Sequence, residues 1–457
     1  MCPLLRFLLF VSLAAITAAQ TPLPRAPGAS VRNLSPSGGT FSEPGIAIDP
    51  NNPDHLVVVY QVGAFAAYSS DAGKTFADAD SSHPTDYRVA GDVSTAFDNL
   101  GHAFLCYLAF DHLGMPQYWA RGAGRNGIFV RRSLDAGKTW ERESVAVKAF
   151  PTGHEPDLPF EDQPRIFADN SPASPYRGNL YVGWIEWQLD KSIILFSRST
   201  DDGRTWSPSL RISAHAGLPR DDNGAVGGFV AAIGPDGAIY AIWHDGNEIT
   251  LTESHDGGAT FSRSHPVIGT APPYFDEITG VYRVGGFPQI AIDPKSRTLY
   301  IVWSDYRNGD VDVFISSSPD GGRWSEPVRV NNDPLHDGAD QFFQWMTADP
   351  ATGAVYVQFY DRRADPANIK IRFTLARSTD SARTFTNYAW SESDFEANGG
   401  FLGDYTWLAA YNNHVYGVWT EAVPNVTPQT KPGEEPSSAP QVSTVIRFGA
   451  ADFSTTR

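Results

Sequence analysis

Apolar residues along this chain fall in short runs, separated by turns rich in glycine, proline and aspartate. Ile46-Ala47-Ile48 and Ile290-Ala291-Ile292 are two such runs, each followed after a turn by a second run, at residues 56–60 and 299–303. Second runs also stand at 180–184, 239–243 and 355–359, the one at 239 preceded by the turn Pro235-Asp236-Gly237. Runs this short and this continuously apolar suit β-strands covered on both faces. A third run, such as Ile193-Ile194-Leu195-Phe196, and a fourth, such as Ser209-Leu210-Arg211-Ile212-Ser213, complete a four-strand unit.

The link from third to fourth strand repeats a pattern, Ser-x-Asp-x-Gly-x-Thr-Trp/Phe. It reads Ser69, Asp71, Gly73, Thr75, Phe76, then Ser133, Asp135, Gly137, Thr139, Trp140. It returns as Ser199, Asp201, Gly203, Thr205, Trp206 and as Ser254, Asp256, Gly258, Thr260, Phe261. Ser318, Asp320, Gly322, Trp324 is one residue short, and Ser378, Asp380, Thr384, Phe385 has Ala382 in place of glycine. The aspartates lie 64, 66, 55, 64 and 60 residues apart, the length of a four-stranded blade with its loops. Glycine admits positive φ, the carboxylate accepts turn N–H groups, and the aromatic packs back between strands, so these aspartates are scaffold. First and second strands count out seven units. The seventh, residues 403–419, lacks the motif; its third strand is expected at 443–448, after a Pro-rich insertion at 423–441 read as a mobile loop. Ser30-Val31-Arg32-Asn33-Leu34 resembles the fourth strands of other units and is expected to close the ring against the last one. The fold class is therefore all-β, a β-propeller of four-stranded blades, seven blades preferred over six, ring closed by an N-terminal strand.

Strands within a blade alternate direction, so the repeated turns share one rim with the first-to-second turns. The opposite rim carries the long, varied loops, at 111–127, 150–163, 262–286, 331–341 and 386–403, and is the place to look for chemistry. Entering first strands there are Glu43, Asp92, Asp162 with Arg165, Asp340, and Asp404 with Tyr405. Leaving second strands are Asp111, Glu186, His244 with Asp245, Asp305-Tyr306-Arg307, Asp361-Arg362-Arg363, and Glu421. Antiparallel pairing is expected to bring Tyr405 to Glu421, Asp340 to Asp361 and Arg362, and Asp162 with Arg165 to Glu186. His244 is read as a loop hydrogen-bonder.

Composition adds the setting. Residues 1–19 are apolar with one charge, Arg6, and end in Thr17-Ala18-Ala19, as an export signal does; residues 20–457 are then one secreted domain. Cys2 leaves with that segment and Cys106 sits in an apolar strand, so packing rather than a disulfide must hold the fold. The formal net charge is −17, which argues against nucleic acid and anionic membrane surfaces as partners, and no second stretch is long and apolar enough to span a bilayer. No cofactor or metal is assigned: the acidic run from Asp305 to Asp312 has the groups to hold calcium, but its spacing fits no calcium loop.

With these motifs the chain resembles the sialidase superfamily, whose members carry BNR or Asp-box repeats on β-propellers. Asp340-Gln341-Phe342-Phe343, Tyr360-Asp361-Arg362-Arg363 and Gly403-Asp404-Tyr405 also look like secreted bacterial proteins of exo-α-sialidase type. The resemblance implies a secreted, monomeric glycoside hydrolase acting on terminal acidic sugars of glycans, with three arginines on the sugar carboxylate, a tyrosine nucleophile activated by glutamate, and an aspartate as acid/base. The residues that match are Arg165, Arg307 and Arg362 for the arginines, Tyr405 and Glu421 for the nucleophile pair, and Asp162 or Asp340 for the acid, with Asp361, Asp404 and Tyr306 beside them. The family's Arg-Ile-Pro element has no counterpart at residues 39–49; Arg165-Ile166-Phe167 comes nearest to it. A glycan-binding propeller without catalysis and a polysaccharide lyase on uronates are the rival readings.

Overall fold

The computed structural model describes residues 22–79, 86–152, 157–271, 278–424 and 442–455; residues 1–19, read from the sequence as an export signal, and most of the Pro-rich insertion, read as a mobile loop, lie outside them. Every regular element among them is a β-strand, and the strands form seven separate four-stranded antiparallel sheets. The innermost strands are Ser42–Ile48, Val89–Phe97, Phe160–Ala168, Val226–Ile233, Gln289–Ile292, Gln341–Ala348 and Trp407–Tyr411, each packed on the next and the last on the first. That closed ring is a seven-bladed β-propeller.

The last blade is completed from the other end of the chain. Ser30–Asn33 pairs antiparallel with Thr444–Asp452, Val31 opposite Gly449, and the Leu34 N–H reaches Ile446 O at 2.9 Å. Just upstream, Ala26 N–H donates to Ala389 O at 3.1 Å, so the same segment also latches onto the sixth blade. Closure covers an edge that would otherwise present unpaired backbone groups.

Second strands are almost wholly buried, as Ala103–Phe110 and Leu180–Trp187 show, which is why they read as unbroken apolar runs. The repeated turn works as its residues predict. Ser133 Oγ donates to Asp135 Oδ1 (2.8 Å) and accepts the Gly137 N–H (2.8 Å), while Thr139 donates its N–H (2.8 Å) and hydroxyl (2.7 Å) to the Asp135 carboxylate. Gly137 has φ of 87°, and a Cβ there would sit 2.3 Å from Val57 of the preceding blade, so the turn also seats one blade on the last. In the sixth copy Ala382 adopts the same conformation, with φ of 63° and its N–H 3.0 Å from Ser378 Oγ.

Candidate functional site

The antiparallel registers place the starts of the inner strands and the ends of the second strands on one rim, and the repeated turns on the other. On the first rim, five of the seven inner strands share a local irregularity. The register slips between Ser42 and Gly45, Gly91 and Ser94, Asp162 and Arg165, Gly227 and Val230, and Phe342 and Trp345. At each slip one residue takes positive φ: Glu43, Asp92, Gln163, Gly228 and Phe343. Such a bulge re-aims a side chain out of the alternating pattern, and a non-glycine residue in that conformation is a cost that functional sites tolerate. Here the bulges turn Glu43 and Asp92 into one cluster with Asp162, Arg165, Asp404 and Tyr405. Gly403 makes room for it: a Cβ there would lie 2.7 Å from Glu43 Cγ.

The carboxyls form a row. The Asp404 N–H donates to Glu43 Oε1 at 3.0 Å, and the Asp92 carboxyl lies within hydrogen-bonding reach of the Glu43 carboxyl. Asp92 reaches Asp162 on its other side, and the Gln163 N–H sits between them, 3.0 Å from Asp162 Oδ1 and 3.3 Å from Asp92 Oδ2. Trp187 Nε1 donates to Asp162 Oδ2 at 2.9 Å and Gln61 Oε1 fixes the Asp92 N–H at 2.8 Å. Carboxyls in direct contact must share protons. Burial, then the neighbouring charges of Asp92 and Asp404, push Glu43 well above the usual carboxylate range, and burial with Asp92 does the same to Asp162. Burial works to raise Asp92 too, but hydrogen bonds from Asp162 and Glu43 and the charge of Arg165 outweigh it and hold Asp92 low. Along the row, Glu43 and Asp162 thus hold a proton more tightly than Asp92 between them.

Two guanidiniums join it. The Arg165 guanidinium lies 3.8 Å above the centre of the Tyr405 ring, and the Tyr405 hydroxyl donates to Val93 O at 3.2 Å. Burial raises the Tyr405 phenol well above its usual value although Arg165 opposes the shift. Arg283 arrives from the segment between the fourth and fifth blades, which is pinned to the rim by Gly399 N–H to Gly280 O (2.7 Å) and Gln344 Nε2 to Phe287 O (2.7 Å). Its Nε donates to Asp404 Oδ1 at 2.8 Å, a second N–H to Asp404 Oδ2, and its Nη1 is 3.5 Å from Asp221 Oδ2. Asp221 also accepts the Trp119 indole N–H at 3.1 Å; burial lifts it to about 6 while Arg283 pulls the other way.

The remaining sequence candidates lie elsewhere on the rim. Glu421 accepts Trp419 Nε1 (2.8 Å) and Arg447 Nε (2.7 Å); it faces the third strand of its blade rather than Tyr405, because Trp419 and Glu421 share a strand face with Arg447. Arg362 is fully buried and donates to the carbonyls of Asn368 and Thr279, both at 2.8 Å. Asp340, brought beside Arg362 as expected, accepts the Asn368 side-chain N–H (2.6 Å) and the Val311 N–H (3.1 Å). Asp361 takes Arg363 (2.6 Å) and the Thr374 hydroxyl (2.8 Å). Arg307 folds back on Asp305 at 2.8 Å, and the Tyr306 N–H donates to Ala271 O at 2.7 Å. In the acidic run, Asp305 also takes Trp303 Nε1 (2.8 Å) and Asp312 takes Arg329 (3.1 Å). His244 is 3.4 Å from the Thr270 hydroxyl, and burial lowers it to about 4. Glu186 stands opposite Glu161, not Asp162, since strand alternation sends Glu161 and Glu186 together toward Lys148. Arg283 and Asp221 were not anticipated. Arg283 was detectable only as the one arginine near Gly280, Gly285 and Gly286 in the longest of the varied loops.

No protein-family model matches the chain, and no curated protein does. Among solved structures it is similar to the phage phi92 endosialidase, at 9% identity over 93% of this chain and 69% of that one, with a TM-score of 0.50. It is also similar to the α-L-arabinofuranosidase of Fusarium graminearum in complex with arabinobiose, at 12% identity over 79% of this chain and 94% of that one, TM-score 0.47. A third is a polysaccharide lyase, an ulvan lyase bound to its saccharide, at 11% identity over 84% and 93%, TM-score 0.46. At such identities the likeness is one of fold, and the fold is the β-propeller.

Proposed function

We propose that this chain is an exported, carbohydrate-active enzyme, a glycoside hydrolase of sialidase type that cleaves a terminal sugar at the axial mouth. The observation that carries the reading is the contact row Glu43–Asp92–Asp162 at the axial rim, in which the outer carboxyls are shifted up and the middle one down. Glycosidic cleavage needs that pairing: a protonated acid for the leaving oxygen and an ionised carboxylate for the incoming nucleophile. In this reading Asp162 gives its proton to the glycosidic oxygen as the bond to the anomeric carbon breaks. Tyr405 attacks that carbon and passes its proton to Asp92; water then releases the sugar from Tyr405, and the protons return. Arg165 over the ring favours the phenolate as it forms. Glu421 has no part in this scheme because its carboxylate is held by Arg447.

The test is sugar release from a panel of fluorogenic glycosides, with the anomer of the product followed by NMR. Release with retention that is lost in Tyr405→Phe and Asp162→Asn supports the scheme. Release with inversion would replace Tyr405 by water as the nucleophile. A rise in unsaturated-product absorbance without hydrolysis would make the chain a lyase, and silence on every substrate with glycan binding intact would make it a binding propeller.

A further inference from the structure

Asp92 stands in the middle of the row, and the slip that aims it is held from the neighbouring blade. Gln61 ends the strand Leu56–Gln61 on the first rim, opposite Ser42, where the inner strand of its own blade begins to slip. Its side chain crosses to the second blade. Oε1 accepts the Asp92 N–H at 2.8 Å while Nε2 donates to Ser42 Oγ at 3.1 Å. Gly91 makes that approach possible, since a Cβ there would lie 2.4 Å from Gln61 Oε1. The amide so held belongs to the residue with φ of 46°, the strained conformation that turns the carboxyl into the cluster. The same arrangement recurs one blade on: Asp92 Oδ2 accepts, at 3.3 Å, the N–H of Gln163, whose φ is 51°. At both slips the amide of the positive-φ residue is tied to a side chain of the blade before it, in the order Ser42, Gln61, Asp92, Gln163.

We infer that Gln61 is a positioning residue of the axial site: by tying the Asp92 amide to Ser42 it fixes the slip in the second blade and so aims the Asp92 carboxyl between Glu43 and Asp162. Its kinetic consequences rest on the glycosidase reading above, whereas the geometry it sets does not. Without the Gln61 carbonyl the Asp92 N–H loses its acceptor, and a non-glycine residue at positive φ has less to hold it there. Asp92 is faced by Glu43 and Asp162 on either side, by the Arg165 guanidinium, and by Asp404 and Tyr405 across the cluster. With the first two contacts loosened, Asp92 keeps the burial that raises its carboxyl and loses the hydrogen bonds that hold it low. Asp162 keeps its own burial but loses the neighbouring charge that adds to it. The two carboxyls then move toward each other in acidity.

The experiment compares Gln61→Leu, which fills much of the same space and makes neither bond, with Gln61→Glu, which keeps an acceptor at the same reach; melting curves show that each folds. On an aryl glycoside that the wild type cleaves, Gln61→Leu is expected to lower kcat about 10–100-fold and to change KM less than about threefold. The pH profile of kcat/KM should also narrow, its acidic limb moving up with Asp92 and its alkaline limb moving down with Asp162. Gln61→Glu should recover most of kcat at its own optimum, with both limbs moved up together by the added charge. A folded Gln61→Leu that keeps kcat within about threefold, or whose profile scales down without narrowing, overturns the inference. So does a Gln61→Glu no more active than Gln61→Leu. If Gln61→Leu does not fold, Ser42→Ala, which frees the far end of the Gln61 amide, is read in its place; a smaller narrowing supports the inference and an unchanged profile overturns it. If the wild type cleaves no glycoside, the hydrolase reading fails by itself, and crystal structures of the wild type and Gln61→Leu decide the rest. Asp92 turned out of contact with Asp162 and the Gln163 N–H supports the positioning role, and a carboxyl displaced by about 0.5 Å or less refutes it.

Discussion

Glu161→Gln should remove a specific share of the pH dependence of stability. Glu161 is fully buried where the second and third blades meet, opposite Glu186 in register, with Lys148 Nζ 3.1 Å from its Oε1 and the Trp184 indole donating to its Oε2. Burial, with Lys148 opposing and Glu186 assisting, lifts its carboxyl from 4.5 to about 8. A carboxyl that binds its proton more tightly in the folded state stabilises the fold fully below pH 4.5. That contribution is lost as pH rises to about 8, at about 1.36 kcal/mol per pH unit, so the whole is about 5 kcal/mol as an upper figure. Glutamine keeps the neutral form at every pH. It also turns an acceptor into a donor toward Trp184 or Lys148, which costs about 1–3 kcal/mol at all pH values. The slope, not the absolute stability, is therefore the readout. Urea unfolding of both proteins at half-unit steps from pH 5 to 9 should show the wild type losing stability relative to the variant up to about pH 8, and a constant difference beyond it. Parallel curves would mean that Glu161 is ionised in the fold across this range and that the physical account of its burial is wrong.

Asp162→Asn should cost about 10²–10⁴-fold in kcat/KM on glycosides with poor leaving groups and much less on activated aryl glycosides, as loss of a proton donor does; equal losses on both would assign Asp162 a structural part. Gly137→Ala meets Val57 at 2.3 Å in a backbone conformation with φ of 87°, so thermal melting should show a loss of about 1–3 kcal/mol, whereas Ala382→Gly in the sixth copy should change stability by less than about 1 kcal/mol. Truncation of the chain to begin after Asn33 uncovers the edge of Thr444–Asp452; size-exclusion chromatography should detect association, and melting should occur at lower temperature than in the intact protein.

Why the blades could be counted from the sequence, and the site only in part, follows from what each demands of its residues. The repeated turn needs a hydroxyl, a carboxylate, a positive-φ residue and a second hydroxyl at fixed offsets, so it leaves a readable string; where glycine is lost, as at Ala382, the hydrogen bonds remain and the spacing still gives it away. The closing strand was legible because Ser30–Asn33 must do for the seventh blade what fourth strands do for the others. Fourth strands were overestimated in length. Ser209–Ser213 shrinks to Leu210–Arg211, since an outer strand has one neighbour and both its residues are exposed.

The cluster is harder because it depends on breaking the alternation by which strands are read. Strand direction assigns the rim to every candidate, but alternation would send Glu43 and Asp92 the wrong way, and only the bulges at φ of 53° and 46° bring them round. No glycine marks those two positions, and Arg283 comes from a segment with no strand periodicity at all. The bulge is nonetheless the general device. Equivalent slips hold Glu43, Asp92, Gln163, Gly228 and Phe343 in one backbone conformation, so the scaffold offers the same place in different blades and the side chain there decides what the blade contributes. Carboxyls come from the seventh, first, second and third blades, consecutive around the closed ring, while the fourth and sixth present Gly228 and Phe343. Charge is thus gathered on one side of the axis, and that asymmetry brings carboxyls close enough to divide protons unequally. Burial alone would raise every one of these acids; it is the contact between them that sets Asp92 apart from Glu43 and Asp162.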